Sequence, residues 1–194
     1  DLLRESVPVI ASYGNYAASG GYWISANTDK IFSNATTLTG SIGVFSMIPD
    51  ISGVLKNKLH VNVTTVNSND HSDMYTLIKP LDAAEKAYMQ ASVENIYNRF
   101  TSIVADGRDM TVEEVDAIAQ GRVWTGAEAE GIGLVDQIGT LTDALNYAAI
   151  SIEGVESLND VQILEYPKPQ TSVEMLLEMF GNGESVFAGT PFEN

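Results

Sequence analysis

One short segment combines a possible nucleophile with small residues that would let a substrate reach it. Ala17-Ala18-Ser19-Gly20-Gly21 lies between a strand-like run with a turn and a stretch compatible with a helix. A serine at a helix start lies at the positive end of the helix dipole, and the N–H groups that follow, first that of Gly20, can stabilise an oxyanion. The segment therefore indicates covalent catalysis by Ser19 on a carbonyl carbon. The alternative is an N-cap serine followed by glycines that permit close packing.

A serine nucleophile also needs a base, and the sequence offers no clear one. His71 lies in a polar loop with Asp73, so a triad of Ser19, His71 and Asp73 is one possibility, while His60 lies at a predicted strand edge. A lysine could serve if burial lowered its pKa from about 10.4 toward 7 or 8. We expect all six lysines to lie on the surface instead: Lys30, Lys56, Lys58, Lys79, Lys86 and Lys168.

Composition excludes several other kinds of function. The 194 residues include 26 acidic and 10 basic ones, for a formal charge of −16, which disfavours binding to nucleic acid. There is no cysteine, so disulfides, thiolate metal sites and thiol nucleophiles are excluded. Acidic residues such as Glu113, Glu114 and Glu128 are spaced like solvated helix faces, and Thr39–Gly43 lacks the Lys-Ser/Thr of a phosphate-binding loop. We predict neither a metal nor a cofactor.

Strand-like and helix-like segments alternate, which predicts an α/β domain with a mostly parallel sheet. A capping box at Thr111 and Glu114 starts one of the helices. Predicted strands are Val7–Ser12, Lys30–Ser33, Val44–Ile48, His60–Val66 and Val161–Tyr166, with Asn34–Gly43 as a loop. Predicted helices are Ala17–Asn27, Ile51–Leu59, Pro80–Gly107, one from Thr111, Ala127–Glu130 and Thr142–Ile150.

The last part of the chain is predicted to stand apart from this domain. Pro167 and Pro169 mark a boundary, so we divide the chain into a domain over 1–166 and an appendage over 167–194. Within the appendage, Ser172–Phe180 is predicted to be a short amphipathic helix. Gly181–Asn194 is expected to be a flexible tail.

Three motifs, in this order and at this separation, resemble the signal peptide peptidase A (protease IV) family of serine peptidases. They are Ala17–Ser25 (AASGGYWIS), Leu38–Val44 (LTGSIGV), and Gly121–Gly126 (GRVWTG) with Gly131–Gly139 (GIGLVDQIG). The resemblance covers about Val7 to Ala149. It implies the Clp protease/crotonase fold, built from repeated ββα units. It also implies that Ser19 is the nucleophile, that the N–H of Gly20 belongs to the oxyanion hole, and that Ser41 hydrogen-bonds a lysine base.

The sequence departs from the family at the lysine itself. Short members carry it in the loop after the strand that corresponds to His60–Val66, where this chain has Ser72. Long, tandem members split the pair, with the lysine in the amino-terminal half and the serine in the carboxy-terminal half. This chain resembles that serine-bearing half, in keeping with its abrupt start at Asp1. We therefore expect the lysine, and a second oxyanion donor, to lie outside the chain, and the isolated chain to be catalytically incomplete.

The resemblance implies a peptidase that degrades cleaved signal peptides at the extracytoplasmic side of the bacterial inner membrane, anchored by a segment outside this chain. Its expected partners are apolar peptides, the upstream half of the same polypeptide, and further copies of itself. Two alternatives stay open. One is a non-catalytic scaffold half in which Ser19 only caps a helix. The other is a crotonase-like enzyme acting on acyl-CoA, which the charge of −16 without a basic cluster disfavours.

Overall fold

The computed structural model describes residues 3–167, in which six strands form two three-stranded sheets. The strands are β1 (Ile10–Tyr13), β2 (Tyr16–Ala18), β3 (Lys30–Ser33), β4 (Leu38–Gly40), β5 (Val123–Thr125) and β6 (Gln137–Ile138). One sheet has the order β1-β3-β6 and the other the order β2-β4-β5. All pairs are parallel except β4 with β5, which confirms the prediction of a mixed α/β domain with a mostly parallel sheet.

Helices connect and flank these strands. They are α1 (Gly20–Ser25), α2 (Ser52–Asn57), α3 (Ala83–Arg108), α4 (Val112–Ile118), α5 (Gly126–Gly131) and α6 (Leu141–Ile150), with a 3-10 turn at Leu158–Asp160. The predicted capping box of Thr111 and Glu114 is present, because each accepts a backbone N–H bond from the other. Helix α3 continues one residue beyond Gly107 and is ended by Asp109 in the left-handed conformation, at φ 52°.

The buried core lies between the sheets and helices α1 and α3. Tyr22 and Phe100 are almost fully buried, and Trp23 stacks on Phe100 with ring centroids 4.5 Å apart. Tyr22 belongs to the core, and the partly buried Trp23 packs against it. A largely buried ion pair joins α3 to the turn before β6, since Arg108 Nη2 lies 2.6 Å from Asp136 Oδ1. These contacts fix α1, the helix that begins after Ser19, against the rest of the domain.

Three predicted strands are not formed. Residues 44–48, 60–66 and 161–166 are irregular, and several of their apolar side chains are exposed, among them Phe45 at 87% and Val66 at 96%. Their apolar or alternating patterns favour a strand, but no neighbouring strand pairs with them in the described residues. In contrast, β4 lies inside the predicted loop Asn34–Gly43, because pairing with β2 makes it a strand.

Two sequence predictions lie outside the described residues, namely the helix Ser172–Phe180 and the tail Gly181–Asn194. Over residues 3–167, no helix combines the length and apolar character needed to cross a bilayer.

Candidate active site

Ser19 occupies a strained turn between β2 and α1. Its backbone lies at φ 52° and ψ −117°, a region that costs a non-glycine residue about 1–3 kcal/mol. Two hydrogen bonds hold it there: Ser19 N donates to Gly40 O at 2.9 Å, and Trp23 N donates to Ser19 O at 2.9 Å. Sharp strand-to-helix turns of this kind lift a serine side chain out of the sheet in α/β-hydrolases.

The hydroxyl of Ser19 is exposed and makes no hydrogen bond within residues 3–167. The interpretation of Ser19 as a side-chain N-cap is therefore wrong, because a capping oxygen would accept a backbone N–H bond from the first turn. The unbound hydroxyl of this exposed residue is free to donate its proton to a base supplied from elsewhere, which a serine nucleophile requires.

The glycines after Ser19 are not needed for packing. A Cβ atom at Gly20 or at Gly21 would meet nothing within 4 Å, so the close-packing alternative is wrong for the described residues. The space beside both glycines is open to solvent instead, which leaves room for an approaching peptide. Because the first helical bond runs from Trp23 N to Ser19 O, the N–H groups of Gly20 and Gly21 have no intrahelical acceptor. These donors can stabilise negative charge beside Ser19.

Two buried tyrosines anchor helix α1. Tyr22 Oη donates to Leu134 O at 2.8 Å, and Tyr13 and Ser25 share a hydroxyl hydrogen bond of 2.6 Å. Burial raises the pKa of Tyr13 to about 12 and raises the pKa of Tyr22 as well, so both rings stay neutral and keep their O–H groups. The helix that carries the Ser19 turn is thus tied to the segment of the Gly131–Gly139 motif.

Ser41 follows the strand next to that of Ser19. In the parallel pair β2 and β4, Ala18 lies opposite Gly40, so Ser19 and Ser41 each follow the last paired residue of adjacent strands. Neighbouring strands are roughly 4.8 Å apart. Ser41 is half-buried and also has a left-handed backbone, at φ 49°. The structure therefore brings all three predicted site residues, Ser19, Gly20 and Ser41, to one end of the sheet β2-β4-β5.

A turn from the third motif holds the backbone around Ser41. Ser41 N donates to Arg122 O at 2.7 Å, and Gly121 N donates to Ile42 O at 2.9 Å. Gly121 is left-handed at φ 76°, and a Cβ added to Gly43 would lie 2.6 Å from Gly121 N and Cα. Only glycines allow this close approach of two chain segments. The Gly121–Gly126 motif, whose strand β5 was not predicted, thus positions Ser41.

No base for Ser19 emerges from the predicted histidine triad. His71 Nδ1 lies 3.2 Å from Glu85 Oε1 and 3.5 Å from Asp82 Oδ2, whereas Asp73 pairs with Lys79 at 2.6 Å. His71 is therefore oriented by carboxylates other than Asp73.

Lys79 is no better suited to be the base. Its side chain is about one-third exposed, so it lies at the surface as predicted, but it pairs with Asp73 and also lies 3.0 Å from Glu85 Oε1, which was not predicted. Hydrogen bonds to Asp73 and then to Glu85 raise the pKa of Lys79, whereas a general base needs a lowered one. This network could not be predicted from the sequence, since only Glu85 at the helix start carried a local signal.

His71, Asp82 and Glu85 are also the one group in residues 3–167 whose ligand atoms lie close enough together to hold a metal ion. Lys79 already supplies a positive charge to this group through Glu85. A second cation would have to displace it, so we assign no metal here.

Comparison of this sequence with known proteins identifies the family to which the chain belongs. The chain is 41% identical over 148 residues to Protease 4 of Haemophilus influenzae, covering 76% of this chain and 24% of that protein. It is 39% identical over 170 residues to a putative signal peptide peptidase SppA of Enterococcus faecium, covering 88% and 48%. It is 33% identical over 182 residues to the chloroplastic serine protease SPPA of Arabidopsis thaliana, covering 93% and 27%.

The chain thus spans about a quarter to a half of the length of these three relatives. Residues 1–154 match the model of peptidase family S49, which includes all three motifs around Ser19, Ser41 and Gly121. The chain belongs to peptidase family S49.

Proposed function

We propose that the chain supplies the nucleophile half of a serine peptidase with a Ser-Lys mechanism. The observation that carries this proposal is the backbone of Ser19, which is strained at φ 52° while its hydroxyl is exposed and unbound. Strain is retained in proteins mainly where it serves a function. Open space beside Gly20 and Gly21 supports the same role.

The reaction follows from this geometry. A neutral lysine amine removes the proton of Ser19 Oγ, and Oγ forms a bond to the carbonyl carbon of a peptide. The backbone N–H of Gly20 stabilises the oxyanion of the tetrahedral intermediate. When the intermediate collapses, the peptide C–N bond breaks and the leaving amine takes the proton from the lysine. Water then hydrolyses the acyl-enzyme, which frees the new carboxylate and restores Ser19.

The lysine in this mechanism comes from outside the described residues. Lys79 is excluded as the base by its two carboxylate partners, Asp73 and Glu85. We infer that the upstream half of the same polypeptide contributes the lysine, and that Ser41 accepts or donates a hydrogen bond that fixes the amine near Ser19. The position of Ser41 beside Ser19 at one sheet end supports this assignment.

Substrate and location are inferred from the relatives. One relative is named a signal peptide peptidase, which suggests apolar peptides such as cleaved signal peptides as substrates. We also propose a Clp protease/crotonase-like domain over 1–166 with an appendage over 167–194, self-association into an oligomer, and attachment at the extracytoplasmic side of a bacterial membrane through a segment outside this chain.

The test is peptide hydrolysis by the 194-residue chain, alone and mixed with the upstream half of its parent polypeptide. A fluorogenic apolar peptide is the substrate. We expect activity only in the mixture, and its loss in Ser19→Ala. Ser102→Ala is the matched control, because Ser102 is also an exposed serine but lies on α3, outside the proposed site, and it should retain activity. Intact-mass measurement after treatment with a fluorophosphonate should show one adduct, absent in Ser19→Ala.

Three outcomes would overturn the proposal. Activity that survives Ser19→Ala in an associated mixture would assign the chain to a scaffold role. Activity of the chain alone would place the base within these residues. Size-exclusion chromatography shows whether the two halves associate. If they associate and the mixture still does not hydrolyse the peptide, the proposal is also wrong.

A further inference from the structure

A cleft outside the Ser19 turn has the chemistry of a binding site for a carboxylate with an apolar body. It has a volume of about 640 Å³ and runs between helices α1 and α3 and the start of the chain. We call it the α1–α3 cleft, with Trp23, Ile24, Arg99, Ile103 and Arg4 among its lining residues. Its volume falls in the range of small-ligand sites in proteins.

One wall of the cleft is apolar and partly rigid. Trp23 is held in place by stacking on Phe100, with ring centroids 4.5 Å apart. Ile24 follows on α1 and is 82% exposed, so most of its side chain has no cover within the described residues. Asn27 and Thr28 add polar groups to the lining. A rigid aromatic ring beside an uncovered aliphatic side chain favours a ligand with an apolar part, since burial of such surface stabilises a complex.

Two arginines give the cleft its charge. Arg99 is exposed and makes no hydrogen bond or ion pair within residues 3–167. Arg4 donates only its Nε to Asp29, at 3.1 Å, which leaves its terminal nitrogens available. In a chain of net charge −16, the cleft carries the guanidinium of Arg99, which has no ion-pair partner in the described residues, and that of Arg4, which is shared with Asp29. Guanidinium groups bind carboxylates in a paired geometry, so the charge selects an anionic end group.

We propose that the α1–α3 cleft binds short apolar peptides through their free carboxy terminus. The inference rests on the proposed peptidase function, because endoproteolysis of apolar peptides produces fragments of this chemistry. Trp23 and Ile24 contact the apolar side chains, and Arg99, assisted by Arg4, holds the terminal carboxylate. Helix α1 has six residues and is roughly 9 Å long, so the cleft lies one short helix away from Ser19. It is a site for a peptide end that is separate from the scissile bond.

The test measures binding without catalysis. In the chain carrying Ser19→Ala, the probes are N-acetyl-trileucine as the free acid and as the amide, titrated by calorimetry, with Trp23 fluorescence as a second readout. We expect the acid to bind at least tenfold more tightly than the amide. Arg99→Gln should weaken the acid about tenfold and leave the amide unchanged. Lys58→Gln removes the same charge from another exposed position and should change neither.

Several results would overturn the proposal. These are equal affinity for acid and amide, an Arg99→Gln variant that binds the acid normally, or absence of binding at millimolar peptide. If decanoate binds and Arg99→Gln weakens that binding, while the peptide acid does not bind, the occupant is a fatty acid and the proposal is wrong. Ile24→Asp is the second variant, and because Ile24 is exposed it should fold and repel the acid. Since no hydrolysis is measured, failure here is distinct from failure of Ser19 as nucleophile.

Discussion

The backbone strain at Ser19 can be measured by comparing two substitutions that both remove the hydroxyl. Ser19→Ala keeps the penalty of a side chain at φ 52°, while Ser19→Gly releases it. Release is worth about 1–3 kcal/mol, and the extra flexibility of glycine in the unfolded chain costs about 0.5–1 kcal/mol. The balance predicts that Ser19→Gly is more stable than Ser19→Ala by about 0.5–2 kcal/mol.

The assay is urea unfolding of the 194-residue chain followed by circular dichroism, which gives the free energy of unfolding of each variant. The control is the same pair at Ser102, which lies within α3 and is exposed. There the order should reverse, because alanine is favoured over glycine by about 1 kcal/mol in a helix interior. If Ser19→Gly is as stable as Ser19→Ala or less so, the turn is unstrained and the main argument for a nucleophile at Ser19 is refuted.

Three further predictions follow from the contacts around the site. Gly107→Ala should lower the free energy of unfolding in urea by about 1–3 kcal/mol, because the new Cβ would clash with Ala26 O. Gly53→Ala is the control and should not destabilise the chain, because a Cβ there meets no atom within 4 Å. Tyr22→Phe should cost about 1–3 kcal/mol by leaving the buried Leu134 carbonyl unpaired, and an unchanged unfolding midpoint would contradict that bond. Hydrogen bonds from the Asp82 N–H, and then from Lys79 and His71, lower the pKa of Glu85. The stability they contribute is therefore present above the unfolded carboxyl pKa of about 4.3 and lost as pH falls through the folded value. Hydrogen-exchange protection factors, which correct for the slower intrinsic exchange in acid, should fall in residues 67–82 as the pH is lowered, and Glu85→Gln should remove this pH dependence.

Sequence signals predicted the elements whose own residues carry a marked pattern. The strand Lys30–Ser33 was predicted with the observed bounds, because its apolar residues are buried in the sheet β1-β3-β6. The capping box at Thr111 was predicted because both of its hydrogen bonds join residues three apart. In contrast, β4 was missed because Leu38–Gly40 has one apolar residue and ends in glycine, a composition that does not favour a strand. It is a strand because it pairs with β2 and β5.

The same distinction applies to the candidate site, since some of its features could be predicted from the sequence and others required the structure. Ser19 and Gly20 could be predicted from a five-residue segment, and the family resemblance added Ser41. The strain at Ser19, the empty space beside Gly20 and the turn that holds Ser41 depend on contacts between distant segments, so they required the structure. The network of Glu85, Lys79 and Asp73 was missed for a similar reason, since burial of Glu85 at a helix start is decided by the loop packed over it.

The hydrogen bond from Tyr22 to Leu134 joins residues 112 positions apart and has a consequence for the order of folding. Contacts of such long range form late, because a long loop must close before they contribute any stability. During synthesis from the amino terminus, the segment around Ser19 emerges well before the Gly131–Gly139 segment that anchors it. We therefore expect the nascent chain to lack a formed Ser19 turn until most of the domain has been made. A serine whose turn forms this late is not yet positioned to react with neighbouring chains while translation continues.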